Sequence, residues 1–260
     1  MLIHFAHANG VPAASYQPLF DALAPHTVIA KPMFGHDPRF PVTHQWQFLA
    51  DELLEFLQQE AAEPVLAVGH SMGAVLSFLA MCKAPQRFRG VLMLDPPLLW
   101  GSMAWGCKLA KLLGKMDNVT PAGKSRYRRR HWPDESAARE YFASKPLFQF
   151  EPRCFEAFCG CALKPSTQGG VELAFSVDTE VEIFRHTPDN LKRQRPPAQI
   201  PVQVIYGDRS DASLSRCVEP FARHFGYQTQ RIAGEHMYPL QQPDQTVGLI
   251  KAFAEASAPQ

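Results

Sequence analysis

The sequence is short of net charge: 26 lysines and arginines stand against 25 aspartates and glutamates over 260 residues, a formal balance of +1. A chain so balanced offers no global field to nucleic acid or to an anionic membrane, so the expected partner is a small molecule and neither of those. It also lacks an apolar run approaching the ~20 residues that a membrane-crossing helix needs. The opening Met1-Leu2-Ile3-His4-Phe5 has neither the charged start nor the long apolar stretch of a signal peptide. A soluble, cytoplasmic protein is the expectation. Paired cysteines are missing as well. Cys82, Cys107, Cys154, Cys159, Cys161 and Cys217 are scattered, without a C-x-x-C pair and without a histidine close behind the 154–161 group. That spacing argues against a structural zinc site, and reduced thiols are expected in a chain large enough to fold without staples. There is no internal repeat, which excludes a solenoid.

What is present is an alternation of two periods. Short β-type runs occur at Leu2–Ala6, His26–Ala30, Val65–Val68, Phe88–Leu94, Pro201–Asp208 and Gln228–Ile232. Between several of them apolar residues recur at helical spacing, at 16–23 (with Ser15 as N-cap), 45–57, 74–82, 214–225 and 246–256. Strands alternating with helices imply a parallel sheet joined by crossover helices. The alternation breaks between about Leu98 and Pro197, a stretch rich in Trp, Phe, Arg and Pro. The expected organisation is a core of residues 1–97 and 198–260 with an inserted cap, 98–197, that contains helix-compatible pieces such as 103–113 and 137–142. Trp100, Met103, Trp105, Phe142, Phe148, Phe155 and Phe158 would give the cap either a pocket wall or a core of its own. Its basic run, Arg126, Arg128, Arg129 and Arg130, reads as a solvated face unless it meets an anionic group.

The chemistry is expected at Gly69-His70-Ser71-Met72-Gly73, where the apolar run Val65–Val68 meets the helical stretch from Ala74. In a G-x-S-x-G elbow the turn strains the serine backbone, and the glycines let helix and strand pass closely. A serine hydroxyl attacks well only when a base takes its proton and a third group orients that base. Among the ten histidines, His236 is the candidate base: it stands where the last strand empties into Gly234-Glu235-His236, on the side where strand ends converge. His70 is expected to support the turn by packing.

These features, in this order, resemble the α/β-hydrolase superfamily of cofactor-free serine esterases. His7-Ala8-Asn9-Gly10-Val11-Pro12 resembles its oxyanion loop, Gly69–Gly73 its elbow, and Gly234–His236 its final histidine turn. The resemblance implies an α/β-hydrolase fold, a mostly parallel sheet with flanking helices and an inserted helical cap, starting at the family's third strand. It implies Ser71 as nucleophile, His236 as base, and the backbone N–H groups of Val11 and Met72 as oxyanion donors. The family's usual place for the acid holds Ser210, with Asp208 and Asp211 on either side; a minority of members place it where Asp95 stands, after the strand that follows the elbow. Asp95 is preferred, then Asp211, then Asp208. The implied activity is hydrolysis of a small carboxylic ester with no cofactor and no metal. A carbon–carbon bond hydrolase or lactonase shares the scaffold, and a hydrolase-like ligand-binding protein with little turnover is the alternative outside enzymes. Neither oligomeric state nor the work of the arginine run follows from the sequence.

Overall fold

The computed structural model describes residues 1–258. The first four apolar runs become β1 (Leu2–Ala6), β2 (Thr27–Ile29), β3 (Val65–His70) and β4 (Phe88–Leu94). Three short strands, β5 (His131–Trp132), β6 (Leu163–Pro165) and β7 (Val171–Leu173), lie between β4 and β8 (Val202–Gly207) in the segment termed the cap, and β9 (Gln228–Ile232) follows β8. The main sheet has the order β2-β1-β3-β4-β8-β9 with every pairing parallel. Parallel neighbours require crossover connections, which cover both faces and bury the strands from both sides. Side chains alternate accordingly: Ile3, Phe5, Leu66, Val68, Leu92 and Leu94 enter one core, while Val65, Ala67, Val91 and Met93 enter the other.

The helices of the first half are α1 (Gln17–Ala22), α2 (Gln47–Glu60) and α3 (Met72–Lys83). Every residue of α3 from Met72 to Met81 is buried, because the helix lies between the sheet and α2 and has no wet face. Ser15 does not cap α1. A tight 3-10 turn, Ala13–Tyr16, precedes that helix, Pro18 fixes its start, and the buried Ser15 hydroxyl lies 3.3 Å from Cys161 Sγ instead.

The segment between β4 and β8 carries α4 (Ser102–Leu112), α5 (Met116–Val119), α6 (Ala122–Ser125), α7 (Glu135–Ala143), α8 (Pro152–Ala162) and α9 (Val177–Arg185), together with an antiparallel sheet of order β5-β7-β6. Its aromatic centre is Phe142, Phe148 and Phe158, with ring centroids 4.9 to 5.1 Å apart. This cluster is continuous with the apolar face of the main sheet that bears Phe5 and Leu94, so cap and core share one hydrophobic interior. The entry to α2 is clasped to the cap: Gln45 Nε2 donates to Asp189 Oδ1 and Asp189 N–H returns to Gln45 Oε1, both at 2.9 Å, and Trp46 Nε1 donates to the Ile183 carbonyl at 2.9 Å. The chain closes with α10 (Ala212–Phe225), α11 (Tyr238–Gln241) and α12 (Pro243–Ala256). Among the described residues no helix is long and apolar enough to cross a membrane.

Candidate active site

Strand β3 ends at His70 and α3 begins at Met72, leaving Ser71 alone in the reversal with φ 54° and ψ −118°. A non-glycine residue there is strained, and surrounding structure must hold it. Ser71 N–H donates to the Leu94 carbonyl at 2.9 Å, while the Ser71 carbonyl accepts from Ala74 N–H at 3.1 Å. Two glycines make the reversal possible. A Cβ on Gly69 would lie 2.3 Å from the Gly73 carbonyl, and one on Gly73 would lie 2.0 Å from the Ala6 carbonyl oxygen.

His236 reaches the serine from the loop after β9. Its Nε2 is 3.0 Å from Ser71 Oγ and its Nδ1 is 2.6 Å from Asp95 Oδ2. Asp95, just beyond β4, has φ 45° and donates its N–H to the Ile205 carbonyl at 2.7 Å. Its second oxygen accepts from Gly207 N–H and from the Ser210 hydroxyl, each at 2.8 Å. Ser210, in the slot that the family resemblance reserves for the acid, thus serves the aspartate that faces the histidine.

The structure keeps the other two aspartates away from His236. Asp208 accepts from Gly234 N–H at 2.9 Å, a bond that pins the start of the histidine loop and holds the carboxyl below the usual range. Asp211 caps α10, accepting from the N–H groups of Ser213 and Leu214 at 2.8 and 3.4 Å. The Ser213 hydroxyl, bonded to the same oxygen, is the chief cause of its lowered pKa.

His70 does more than pack. Its Nε2 lies 2.9 Å from the His236 carbonyl oxygen and its Nδ1 2.6 Å from the Tyr16 hydroxyl. A carbonyl only accepts, so Nε2 carries the proton and Tyr16 donates to Nδ1. Burial, with His236 beside it, lowers the His70 pKa to about 3, which keeps the ring neutral in that tautomer. The Tyr16 hydroxyl also accepts from Ala8 N–H at 3.4 Å, tying the loop after β1 to the elbow and the His236 backbone. In the sequence Tyr16 stands only as one apolar position of a helical face; the clue to its role is its hydroxyl, which needs a partner once buried.

The proposed oxyanion donors fare differently. Met72 N–H lies in the first turn of α3, where amides have no intrahelical acceptor. Val11 N–H donates to the Ala8 carbonyl at 3.2 Å and closes its own turn, so it reaches a ligand only by sharing or breaking that bond.

The arginine run is spent inside the cap. Arg126 meets Asp117, Arg128 meets the buried Glu180 at 2.6 Å, and Arg130 meets Asp178, while Arg129 Nε donates to the His131 carbonyl. Most of the expected pocket aromatics are packing as well: Phe142, Phe148 and Phe158 fill the cap centre, and Trp100 packs on Phe221 of α10. Trp105 points into solvent. Cys154 and Cys159 are enclosed in α8, and burial pushes their thiols up to about 12 and about 11. Among the described residues no group of three or more histidine, cysteine or carboxylate side chains is placed to hold a metal ion.

A parallel sheet whose inner strand delivers a strained serine at its C-terminal end, with a histidine arriving after the last strand, is the architecture of the α/β hydrolases. The chain belongs to the alpha/beta hydrolase family, whose model matches residues 5–249. No curated protein matches it in sequence. Solved structures of similar fold include E-2-(acetamidomethylene)succinate hydrolase, with a TM-score of 0.77 and 20% identity over 98% of this chain and 91% of that one. The thioesterase domain from the curacin biosynthetic pathway has a TM-score of 0.72 and 19% identity, over 96% and 90% of the two chains. MenH from S. aureus has a TM-score of 0.66 and 12% identity, over 99% and 94%. At such identities the likeness is one of fold.

Proposed function

We propose that the chain is a serine hydrolase that cleaves a small carboxylic ester through an acyl-enzyme. The observation that carries this reading is the unbroken line from Ser71 Oγ to His236 at 3.0 Å and from His236 to Asp95 at 2.6 Å. In it Ser71 Oγ–H donates to His236 Nε2, and His236 Nδ1–H donates to Asp95 Oδ2. As Ser71 Oγ attacks the ester carbonyl, His236 takes its proton and Asp95 stabilises the imidazolium. The carbonyl π pair moves onto the oxygen, which is held by Met72 N–H and by the turn at residues 8–11; each such donor is commonly worth about 3 kcal/mol. His236 then returns the proton to the leaving alkoxide as the C–O bond breaks. Water, deprotonated by the same histidine, splits the acyl-enzyme and regenerates the Ser71 hydroxyl.

The test is covalent. A fluorophosphonate probe is expected to label the wild type, and Ser71→Ala to lose both the label and turnover of a short p-nitrophenyl ester. Turnover retained by Ser71→Ala overturns the mechanism. A panel of esters, thioesters, lactones and vinylogous diketones then ranks the bond cleaved. Preference for the diketones would move the reading to a carbon–carbon bond hydrolase, and labelling without turnover of any of them to a ligand-binding protein.

A further inference from the structure

Five of the nine exposed large apolar side chains among the described residues fall between residues 105 and 119. Trp105 is 75% exposed, Leu109 55%, Leu112 83% and Leu113 57%, with Val119 close behind in sequence at 60%. Trp105, Leu109 and Leu112 follow one another at helical spacing along α4 and share a face, while Cys107 and Ala110 turn inward against Leu99 and Met116. The helix therefore has a satisfied inner side and an unpartnered apolar outer side. A contiguous apolar patch of this kind marks an interaction surface.

Its charge says what that surface fits. Between residues 102 and 130 there are eight lysines and arginines and a single acid, Asp117, a local excess hidden by the neutral total. Lys111 is taken by Asp189 at 2.7 Å, and the arginines at 126, 128 and 130 have carboxylate partners. Among the described residues, Lys108 and Lys115 pair with no carboxylate; the Lys108 ammonium lies 5.9 Å over the Trp105 ring. We propose that α4 docks on an anionic lipid surface, with Trp105, Leu109, Leu112 and Leu113 entering the headgroup boundary and Lys108 and Lys115 meeting the acidic headgroups. An exposed Trp-Leu face with interleaved lysines, on a helix too short to cross, lies in the plane of such an interface. A second copy is the poorer occupant. Across a twofold axis the patch would meet itself, bringing unpaired lysines together with no acid to answer them. The whole-chain balance points away from membranes, and the local balance on the cap points toward one. This inference is independent of the proposed ester hydrolysis.

Co-sedimentation with vesicles tests it, using phosphatidylcholine alone and phosphatidylcholine mixed with phosphatidylglycerol. The wild type is expected to sediment with the phosphatidylglycerol vesicles and to remain largely in solution with phosphatidylcholine alone. The double variant Trp105→Ser, Leu112→Ser is expected to bind about tenfold more weakly or worse. Lys108→Glu with Lys115→Glu should lose a similar factor, about tenfold, on the phosphatidylglycerol vesicles. These positions are exposed, so thermal midpoint and p-nitrophenyl ester turnover should stay at wild-type values, which separates lost docking from lost fold. Absence of sedimentation with phosphatidylglycerol, or equal sedimentation of wild type and the Trp105/Leu112 variant, overturns the proposal. A dimer in light scattering that Leu112→Ser dissociates would assign the face to a second copy instead.

Discussion

In the proposed mechanism Asp95 orients His236, and a carboxylate in that role must itself be held; Asp95 is held by two donors at 2.8 Å, Gly207 N–H and Ser210 Oγ–H. Asp208 and Asp211 use their oxygens on the Gly234 amide and the α10 cap, and neither touches the imidazole. Asp95→Asn is therefore expected to lower kcat on a p-nitrophenyl ester by on the order of 10³- to 10⁴-fold, since an amide at that position favours the wrong tautomer. Asp208→Asn and Asp211→Asn should cost far less, and the reverse ranking would move the acid to the later strand. Ser210→Ala removes one donor to the charged carboxylate, worth about 2 kcal/mol, and should fall between them at roughly thirtyfold. The candidate serine and histidine stand out in the sequence because their turns do: Gly-x-Ser-x-Gly after an apolar run, Gly-Glu-His after the last strand. The choice among three aspartates is a matter of which strand ends meet in space. The adjacency of β4 and β8, which the alternation of strands and helices does not specify, brings Asp95 beside Gly207.

The same contrast holds for whole elements. The four inner strands of the main sheet are legible because a strand buried on both faces writes itself as a continuous or alternating apolar run, while the edge strands β2 and β9, which are largely exposed or half-buried, are marked instead by their β-type residues and their place in the alternation. The small cap sheet is not: β5 has two residues and β6 and β7 three each, too few to establish any period. At Gly73, α3 passes directly over β1. A Cβ on Gly73 would sit 2.0 Å from the Ala6 carbonyl oxygen, and α3 has no room to withdraw because α2 covers its other side. Gly73→Ala is expected to destabilise the fold by about 3 kcal/mol or more in urea unfolding, through overpacking and displacement of the elbow. Gly106→Ala gives the opposite sign. In α4 nothing lies within 4 Å of its missing Cβ, so the substitution should gain about 0.5–1 kcal/mol of helix propensity. Equal effects from the two variants would refute the close-approach account of the elbow.

At the scale of the whole molecule, three histidines, His4, His7 and His70, are fully enclosed in the interior around β1 and β3. Burial lowers their pKa values to about 3, about 4 and about 3. In the unfolded chain each titrates near 6.5, so below that pH the unfolded state binds protons that the folded state refuses. Stability is thus unaffected by these groups above pH 6.5 and is lost progressively as pH falls from there toward 3 to 4. At pH 5 the loss is roughly 2 kcal/mol for each histidine, enough in sum to threaten a domain of ordinary stability. His4 isolates the effect. His7 and His70 accept or donate hydrogen bonds around the candidate site, whereas among the described residues neither ring nitrogen of His4 has a partner, and its ring lies among those of Phe34 and Phe56. His4→Leu removes an unsatisfied buried group, so it should raise stability at pH 7.5 by about 1 kcal/mol and shrink the loss between pH 7.5 and 5 by about 2 kcal/mol. Urea unfolding of both proteins across that range measures the two slopes. A wild-type stability that does not change from pH 7.5 to 5, or a parallel decline in His4→Leu, would mean that the interior admits charge or water where β1 and β3 appear sealed.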